Sequence, residues 1–173
     1  MGKIRNRQAY IEILPAQIKD IDTILHIYDH AKRYMIASGN PNQWNGSYPE
    51  RQLLSDDIEK GQLYVYKEND EIYGVFAYIK GEDPTYAYIE EGGWMNNEPY
   101  GTIHRLASDG RARGIFKKCV DFCVEQCENL RADTHHDNHT MQHLLEKYGF
   151  TRCGIIYLQS GAARIAYQYC KES

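Results

Sequence analysis

Residues 111–118 read Arg-Ala-Arg-Gly-Ile-Phe-Lys-Lys, and four of these eight are basic in a chain whose formal net charge is −4. Gly114 stands where an amphipathic run begins, with Ile115, Cys119, Phe122, Cys123 and Cys127 on one stripe. The first N–H groups of a helix have no intrahelical acceptor, and the positive end of its dipole lies there. With local cations added, such a segment suits an anion, above all a phosphate or pyrophosphate. The same residues also describe a solvated basic face on an ordinary helix. The glycine spacing is neither that of a nucleotide P-loop nor that of a dinucleotide fingerprint.

Two other clusters invite chemical readings. His135-His136-Asp137, with His139 and His143 four residues apart, has the look of a metal site. No Glu stands between the helical pair in a His-Glu-x-x-His arrangement, so no metal is expected. Cys119, Cys123 and Cys127 repeat every four residues and read as small apolar core filling rather than chemistry.

The elements that must position these residues follow from the hydrophobic pattern. Ile11–Leu14 reads as a strand ended by Pro15, followed by a helix through Ile18, Ile21, Leu25, Tyr28, Ala31 and Met35. Asn40–Tyr48 reads as a loop with an exposed Trp44. Ser47-Tyr48-Pro49-Glu50 reads as a capping box opening a helix to about Lys60. Leu63–Tyr66 and Ile72–Ile79 form a hairpin about Asn69-Asp70. Residues 81–99 are irregular and acidic. Strand Gly101–Ser108, the turn Asp109-Gly110, the helix from Ile115, strand Leu130–Thr134, a helix over Met141–Tyr148 and a final hairpin about residues 159–161 complete the order β, α, α, β, β, β, α, β, α, β, β.

This order describes one mixed α/β domain over residues 1–173, without repeats or linkers. Its length and 42% hydrophobic content allow a self-sufficient core. The longest apolar stretch, Tyr73–Ile79, is far short of the roughly 20 residues of a membrane span. The segment Met1–Asn6 shows neither an apolar signal core nor the myristoylation pattern, so no membrane partner is expected. A mildly acidic chain argues against broad nucleic-acid binding. Five cysteines at no framework spacing point to a reducing cytoplasm. Tyrosine is abundant, 15 residues, and suits strands and pocket walls.

The strand 103–108, the Arg-x-x-Gly-x-Phe loop and the following helix resemble the acyl-coenzyme A motif of the GNAT acetyltransferase superfamily. Leu130-Arg-Ala-Asp-Thr-His-His-Asp-Asn138, followed by Met141, Leu144 and Lys147-Tyr148-Gly149-Phe150, is similar to the second motif of that family. The resemblance covers nearly the whole chain. It implies a GNAT-like acyl-CoA N-acyltransferase fold: an α+β mixed sheet, splayed at its centre and flanked by helices. The implied cofactor is acetyl-CoA, with its pyrophosphate on Arg111, Ala112, Arg113, Gly114, Ile115, Phe116 and Lys117. Leu106 and Ser108 would offer backbone groups, and Asn138 a side chain, to the pantetheine arm. Phe116 departs from the family's small residue and must turn its ring away from the phosphates. Leu145 stands where relatives often carry a thiolate-protonating tyrosine.

The implied activity is direct acetyl transfer to a primary amine of a small molecule or peptide; family resemblance also suggests a homodimer. A protonated amine must lose a proton, and N–H donors must meet the carbonyl oxygen as it gains charge. His104 lies on the strand that carries the base in many relatives, and imidazole suits the task; it equally fits a half-buried strand histidine. Glu90 and Glu91 could act through water, attract a cationic amine, or be solvated loop residues. Tyr148 is a substitute acid or a packing residue. Trp44, Tyr48 and Trp94 would flank the acceptor pocket as stacking groups or as lids. The acidic Asp83/Glu90/Glu91 loop tilts the acceptor towards a cation. Phe116 and Leu145 favour a competing function, a non-catalytic acyl-CoA-binding module; a plain anion-binding protein is a third.

Overall fold

The computed structural model describes residues 10–171, so the segment Met1–Asn6 lies outside the described residues. Seven strands form one sheet in the order β1-β2-β3-β4-β5-β7-β6. They are β1 (Ile11–Pro15), β2 (Leu63–Glu68), β3 (Glu71–Lys80), β4 (Gly101–Ser108), β5 (Asn129–Thr134), β6 (Thr151–Tyr157) and β7 (Ala163–Cys170). The helices are α1 (Ile21–Ala37), α2 (Arg51–Glu59), α3 (Ile115–Gln126) and α4 (His139–Lys147). The element order is the one the hydrophobic pattern predicts. No described helix is long and apolar enough to cross a membrane.

The β2–β3 hairpin turns at Asn69 and Asp70, with φ values of 50° and 70°. Both central residues of a type I′ turn need positive φ, and Asn and Asp tolerate it best after glycine.

Helices α1 and α2 cover one face of the sheet, where Ile24, Ile27, Tyr28 and Leu54 pack on Val65, Val75, Ala77 and Ala107. Helices α3 and α4 cover the other, with Phe116, Cys119, Cys123 and Leu145 against Phe76, Ile103, Leu130 and Ala132. Cys119 and Cys123 are core residues, as their stripe predicts, and all five cysteines are free thiols. The long connection 81–100 folds over the α1/α2 face at the far end of the sheet, where Tyr86 and Tyr100 bury against Ile156 and Ala166.

Two local expectations are corrected. Trp44 is buried rather than exposed, its ring edge-on to Tyr28 at 5.6 Å. The loop folds back on α1, and the apolar area of an indole draws it into that core. The capping box does not form. Helix α2 begins at Arg51 with Glu50 as its N-cap residue, and Ser47 Oγ bonds the Glu50 carboxylate at 3.1 Å instead of a backbone amide.

Candidate active site

Five of the six strand pairings are antiparallel, and the sixth opens a fork in the sheet. β4 and β5 run parallel and pair only at Gly101↔Leu130 and Thr102↔Arg131. Beyond Thr102 they diverge, so the β5-facing backbone groups of β4 have no strand partner. Within the same stretch the β3–β4 register shifts between Val75 and Ala77, leaving an extra residue in β4. Arg105 takes φ 51° there. The bulge turns His104 and Arg105 away from strict alternation.

Long-range contacts hold the bulge. The Tyr28 hydroxyl, from α1, donates to the Arg105 carbonyl at 2.8 Å. Burial pushes this phenol up from its ordinary pKa, so it remains a donor. The Arg105 guanidinium pairs with Asp57 of α2, and both side chains are largely buried. A further N–H donates to the Tyr48 hydroxyl at 3.4 Å.

A cavity of about 300 Å³ occupies the fork, lined by Tyr34, Met35, Leu106, Ser108, Asn138 and Met141 among others. A smaller one of about 50 Å³ shares Met35, Leu106, Asn138 and Met141 and adds Gln43, Trp44, Arg105, Asp133 and Leu145. Leu106 and Ser108, expected to offer backbone groups to a pantetheine arm, both line the larger cavity. Asn138 lines both cavities, but its side chain is already occupied. Its oxygen caps α4 by accepting from the Met141 N–H at 3.0 Å, and its amide donates to Gln43 at 2.8 Å.

The anion loop sits at the open end of the fork. Gly114 has φ 72°, a left-handed value natural to glycine, and α3 begins at the next residue. The first helical hydrogen bond is Lys118 N–H to Gly114 O at 3.2 Å. The amides of residues 112–117 have no acceptor among the described residues. Phe116 turns its ring into the core against Tyr148 and Phe150, which keeps its amide side clear. Arg113 and Lys118 have no carboxylate partner among the described residues, whereas Lys117 pairs with Asp121 at 2.7 Å. Arg111 differs from its expected role. Its amide donates to Asp109 at 3.1 Å, and its guanidinium bonds Asp109 and the Ile72 carbonyl and lies 4.0 Å from the Tyr73 ring. The unpaired backbone donors of the loop are thus those of residues 112–117, and Arg111 braces the loop against the sheet.

His104 projects to the α1/α2 face, where its Nε2 lies 3.1 Å from Asp83 Oδ2. Asp83 also accepts from the Thr85 N–H at 2.9 Å and the Thr85 hydroxyl at 2.7 Å. The hydrogen bond to His104 leads in drawing the Asp83 carboxyl down to about 2, helped by Thr85 and opposed by burial. An ionised carboxylate only accepts, so Nε2 donates to it; in the neutral ring the lone pair is then on Nδ1. Beside this pair, the Tyr86 hydroxyl donates to Asp133 Oδ2 at 2.6 Å. Burial, then Asp133, raises the Tyr86 phenol, which therefore stays protonated.

The other candidates lie apart from this centre. Glu90 bridges β6 through its backbone to Ile155, and its carboxylate accepts from Tyr88 and Tyr157, each at 2.6 Å. It lines neither cavity of the fork. Tyr148 closes the far end of α4 and packs on Phe116 at 5.6 Å between centroids; it too lines neither cavity. Trp44 lines the smaller cavity and Tyr48 bonds Arg105. Trp94 stacks under the Arg131 guanidinium at 4.0 Å, beside a surface pocket lined by the 81–100 connection. His135, His136 and Asp137 do gather within metal-ligating reach of one another, without His139 or His143. His135 Nδ1 there accepts from the Asp137 N–H at 3.0 Å.

Sequence reasoning passed over Gln43, Asp57, Tyr86, Arg105, Asp133 and Arg164. One signal was available: His104-Arg105 puts two polar residues in succession inside an alternating strand, which marks a bulge. The rest belong to ordinary-looking helices, loops and strands.

The sequence profile of the acetyltransferase (GNAT) family matches residues 23–150. No curated protein matches the chain significantly. Among solved structures, a GNAT-family acetyltransferase from Streptococcus agalactiae is 35% identical, with TM-score 0.85 over 96% of this chain and 100% of its own. A GNAT-family acetyltransferase from Listeria monocytogenes shares the fold at 17% identity, TM-score 0.69, covering 93% and 95% of the two chains. A structure from Salmonella typhimurium, solved with its cofactor acetyl-CoA, shares it at 16% identity and TM-score 0.59 over 94% and 95%.

Proposed function

Because the chain belongs to the acetyltransferase (GNAT) family, we propose that it moves an acetyl group from acetyl-CoA to a primary amine of a small molecule or peptide. One observation supports this: β4, which forks from β5, leads into the unpaired amides of residues 112–117 and carries at its bulge His104, which lines neither cavity but is held by Asp83 on the α1/α2 face. Acetyl-CoA supplies an activated thioester. Residues 112–117 hold the pyrophosphate through backbone N–H groups, with Arg113 and Lys118 as counterions. Leu106 and Ser108 flank the pantetheine with unpaired strand backbone, and an N–H of the bulge faces the carbonyl oxygen as it gains charge.

Asp83 orients His104 so that Nδ1 takes the amine's proton, directly or through one water. The amine nitrogen then bonds the acetyl carbon as the carbon–sulfur bond breaks; the sulfur leaves with the electron pair, and the second proton shed by the nitrogen goes to the thiolate. A thiol of ordinary pKa, about 8.5, leaves as thiolate with only modest need of an acid. That fits a cavity where Leu145, rather than a hydroxyl, lines the wall. The same Leu145 favours the second function, a binding module without turnover. We assign the protein to a reducing cytoplasm, which five free thiols suit.

Calorimetric titration with acetyl-CoA, desulfo-CoA and ATP, followed by thiol release with an amine panel, tests both. Binding of acetyl-CoA unmatched by ATP, with amine-dependent thiol release, is expected. Binding without release for any amine would make it a module, and no binding at millimolar ligand would defeat the acyl-CoA assignment.

A further inference from the structure

The α1/α2 face beyond the fork holds four charged pairs or near-pairs, and they are not treated alike. Arg105 has the Asp57 carboxylate and His104 has Asp83. Asp133 has only a hydroxyl, from Tyr86. Arg164 of β7 has only carbonyls: those of Ala163 at 3.0 Å and Gln43 at 3.2 Å. Arg164 is 6% exposed, and among the described residues no carboxylate comes within ion-pair distance of it.

The register makes this pattern informative. Asp133 is directly opposite Ala166. Ala166 packs with Tyr86 and Tyr100, on the face opposite α3 and α4. Arg164 lies two residues along β7 and shares that face, a diagonal neighbour of Asp133. Diagonal Cβ atoms in an antiparallel pair are about 7–8 Å apart, within reach for long side chains. An arginine and an aspartate so placed would ordinarily meet, because a buried charge without a counterion is costly. Here each is tied back by neutral dipoles, Asp133 by Tyr86 and Arg164 by the Gln43 backbone. Burial holds Arg164 below the usual guanidinium pKa, and Asp133 opposes that shift from a distance. His135, buried just past the end of β5, is held low first by burial and then by the charge of Arg164. The guanidinium charge is therefore not cancelled locally. Gln43 and Asp133 both line the inner cavity, at the end of the fork where the acetyl group would arrive, and Arg164 stands behind that wall, lining neither cavity of the fork itself and donating to the Gln43 carbonyl.

We propose that the acceptor is a small zwitterion of the α-amino-acid type, its ammonium held by Asp133 and its carboxylate by Arg164. This deepens the acetyltransferase function and rests on it. It replaces the expectation of a purely cationic acceptor, because Glu90, which supported that expectation, is engaged by two tyrosines at the sheet edge. Bound this way, the ammonium gives its proton to His104 Nδ1, and the product is an N-acetyl amino acid plus the free thiol. A missing carboxylate would leave the guanidinium buried without its counterion, so the site discriminates by what it leaves unsatisfied.

The test is thiol release from acetyl-CoA with the standard α-amino acids, their primary amides and the corresponding decarboxylated amines, all on the wild-type protein. At least one amino acid should exceed its matched amide and amine in kcat/KM by about 10–100-fold, the scale of a lost charged hydrogen bond. R164M should raise the KM for that amino acid by a similar factor and leave acetyl-CoA affinity unchanged, while R164K recovers part of it. Amides or amines used as well as the amino acids overturn the proposal, as does an unchanged KM in R164M. If R164M does not fold, the wild-type panel decides alone. Calorimetry with the amino acids in the absence of acetyl-CoA separates the two levels. Amino-acid binding to a protein that ignores acetyl-CoA would sink the acetyltransferase function and keep the pocket. Absence of binding to every amino acid, with amines acetylated, would sink the pocket alone.

Discussion

The two sides of the fork are built on opposite plans. The cofactor side is a continuous stretch from β4 through the 109–114 loop into α3, and its donors are backbone amides. The proposed acceptor side assembles six residues from five separate places, Gln43, Asp57, the Asp83–Tyr86 turn, Asp133 and Arg164, around His104 and Arg105. Backbone donors tolerate a change of side chain provided the turn is kept, which is how Phe116 replaces a small residue by turning inward. A side-chain site tolerates little, because each charge is buried beside a partner from a distant segment. One side can stay constant in chemistry while the other varies in what it accepts.

The sharpest break in that comparison is His104→Ala. It should lower kcat by about 10²–10⁴, the usual worth of a positioned base, with acetyl-CoA affinity in calorimetry unchanged. A parallel loss of acetyl-CoA affinity would mean that the two sides are not separable. Next, Asp57→Ala leaves the Arg105 guanidinium buried without its partner. A loss of about 3–5 kcal/mol in urea unfolding is expected, showing that the bulge is fixed from α2.

Acid should also act on one side only. The Asp83 carboxyl titrates near 3.8 when unfolded and about 2 when folded. A depressed pKa contributes stability above the unfolded value, and it is lost as pH falls from about 4 to about 2. The shift corresponds to at most about 2 kcal/mol, so the wild-type advantage over Asp83→Asn should shrink across that window in urea unfolding. An advantage independent of pH would mean that Asp83 stabilises by shape alone. The smallest effect is expected from Arg111→Ala. Its ion pairs are half exposed and of the class worth about 0–1 kcal/mol, so acetyl-CoA affinity should fall less than in Arg113→Ala. The reverse order would return Arg111 to the pyrophosphate.

The cofactor side was legible because its determinants are neighbours in the chain. A strand, a glycine at a helix start and a basic cluster can be read within one window of 101–126. The element order was legible for the same reason, since periodicity is local. Trp44 was misread because nothing within Asn40–Tyr48 shows that the loop folds back onto Tyr28. The capping box failed because the chain at Tyr48-Pro49 presents Ser47 to a side chain rather than to the helix amides. For Glu90 the sequence left three readings open, action through water, attraction of an amine or a solvated loop residue, because nothing local shows that its loop pairs with β6, where Tyr88 and Tyr157 close on it.

By itself, the amino-acid sequence determined the strands and helices, the hairpin turn at Asn69-Asp70 and the glycine turn that opens α3, because each depends on residues within a few positions of one another. Only the tertiary structure decided that Asp83 serves His104, that Arg105 is clamped by Asp57, and that Arg164 is buried beside Asp133 without touching it. Those pairings span 21 residues for the first and 48 for the second. Hydrophobic periodicity says which face a side chain takes; it does not say which charge from a distant segment will be waiting there.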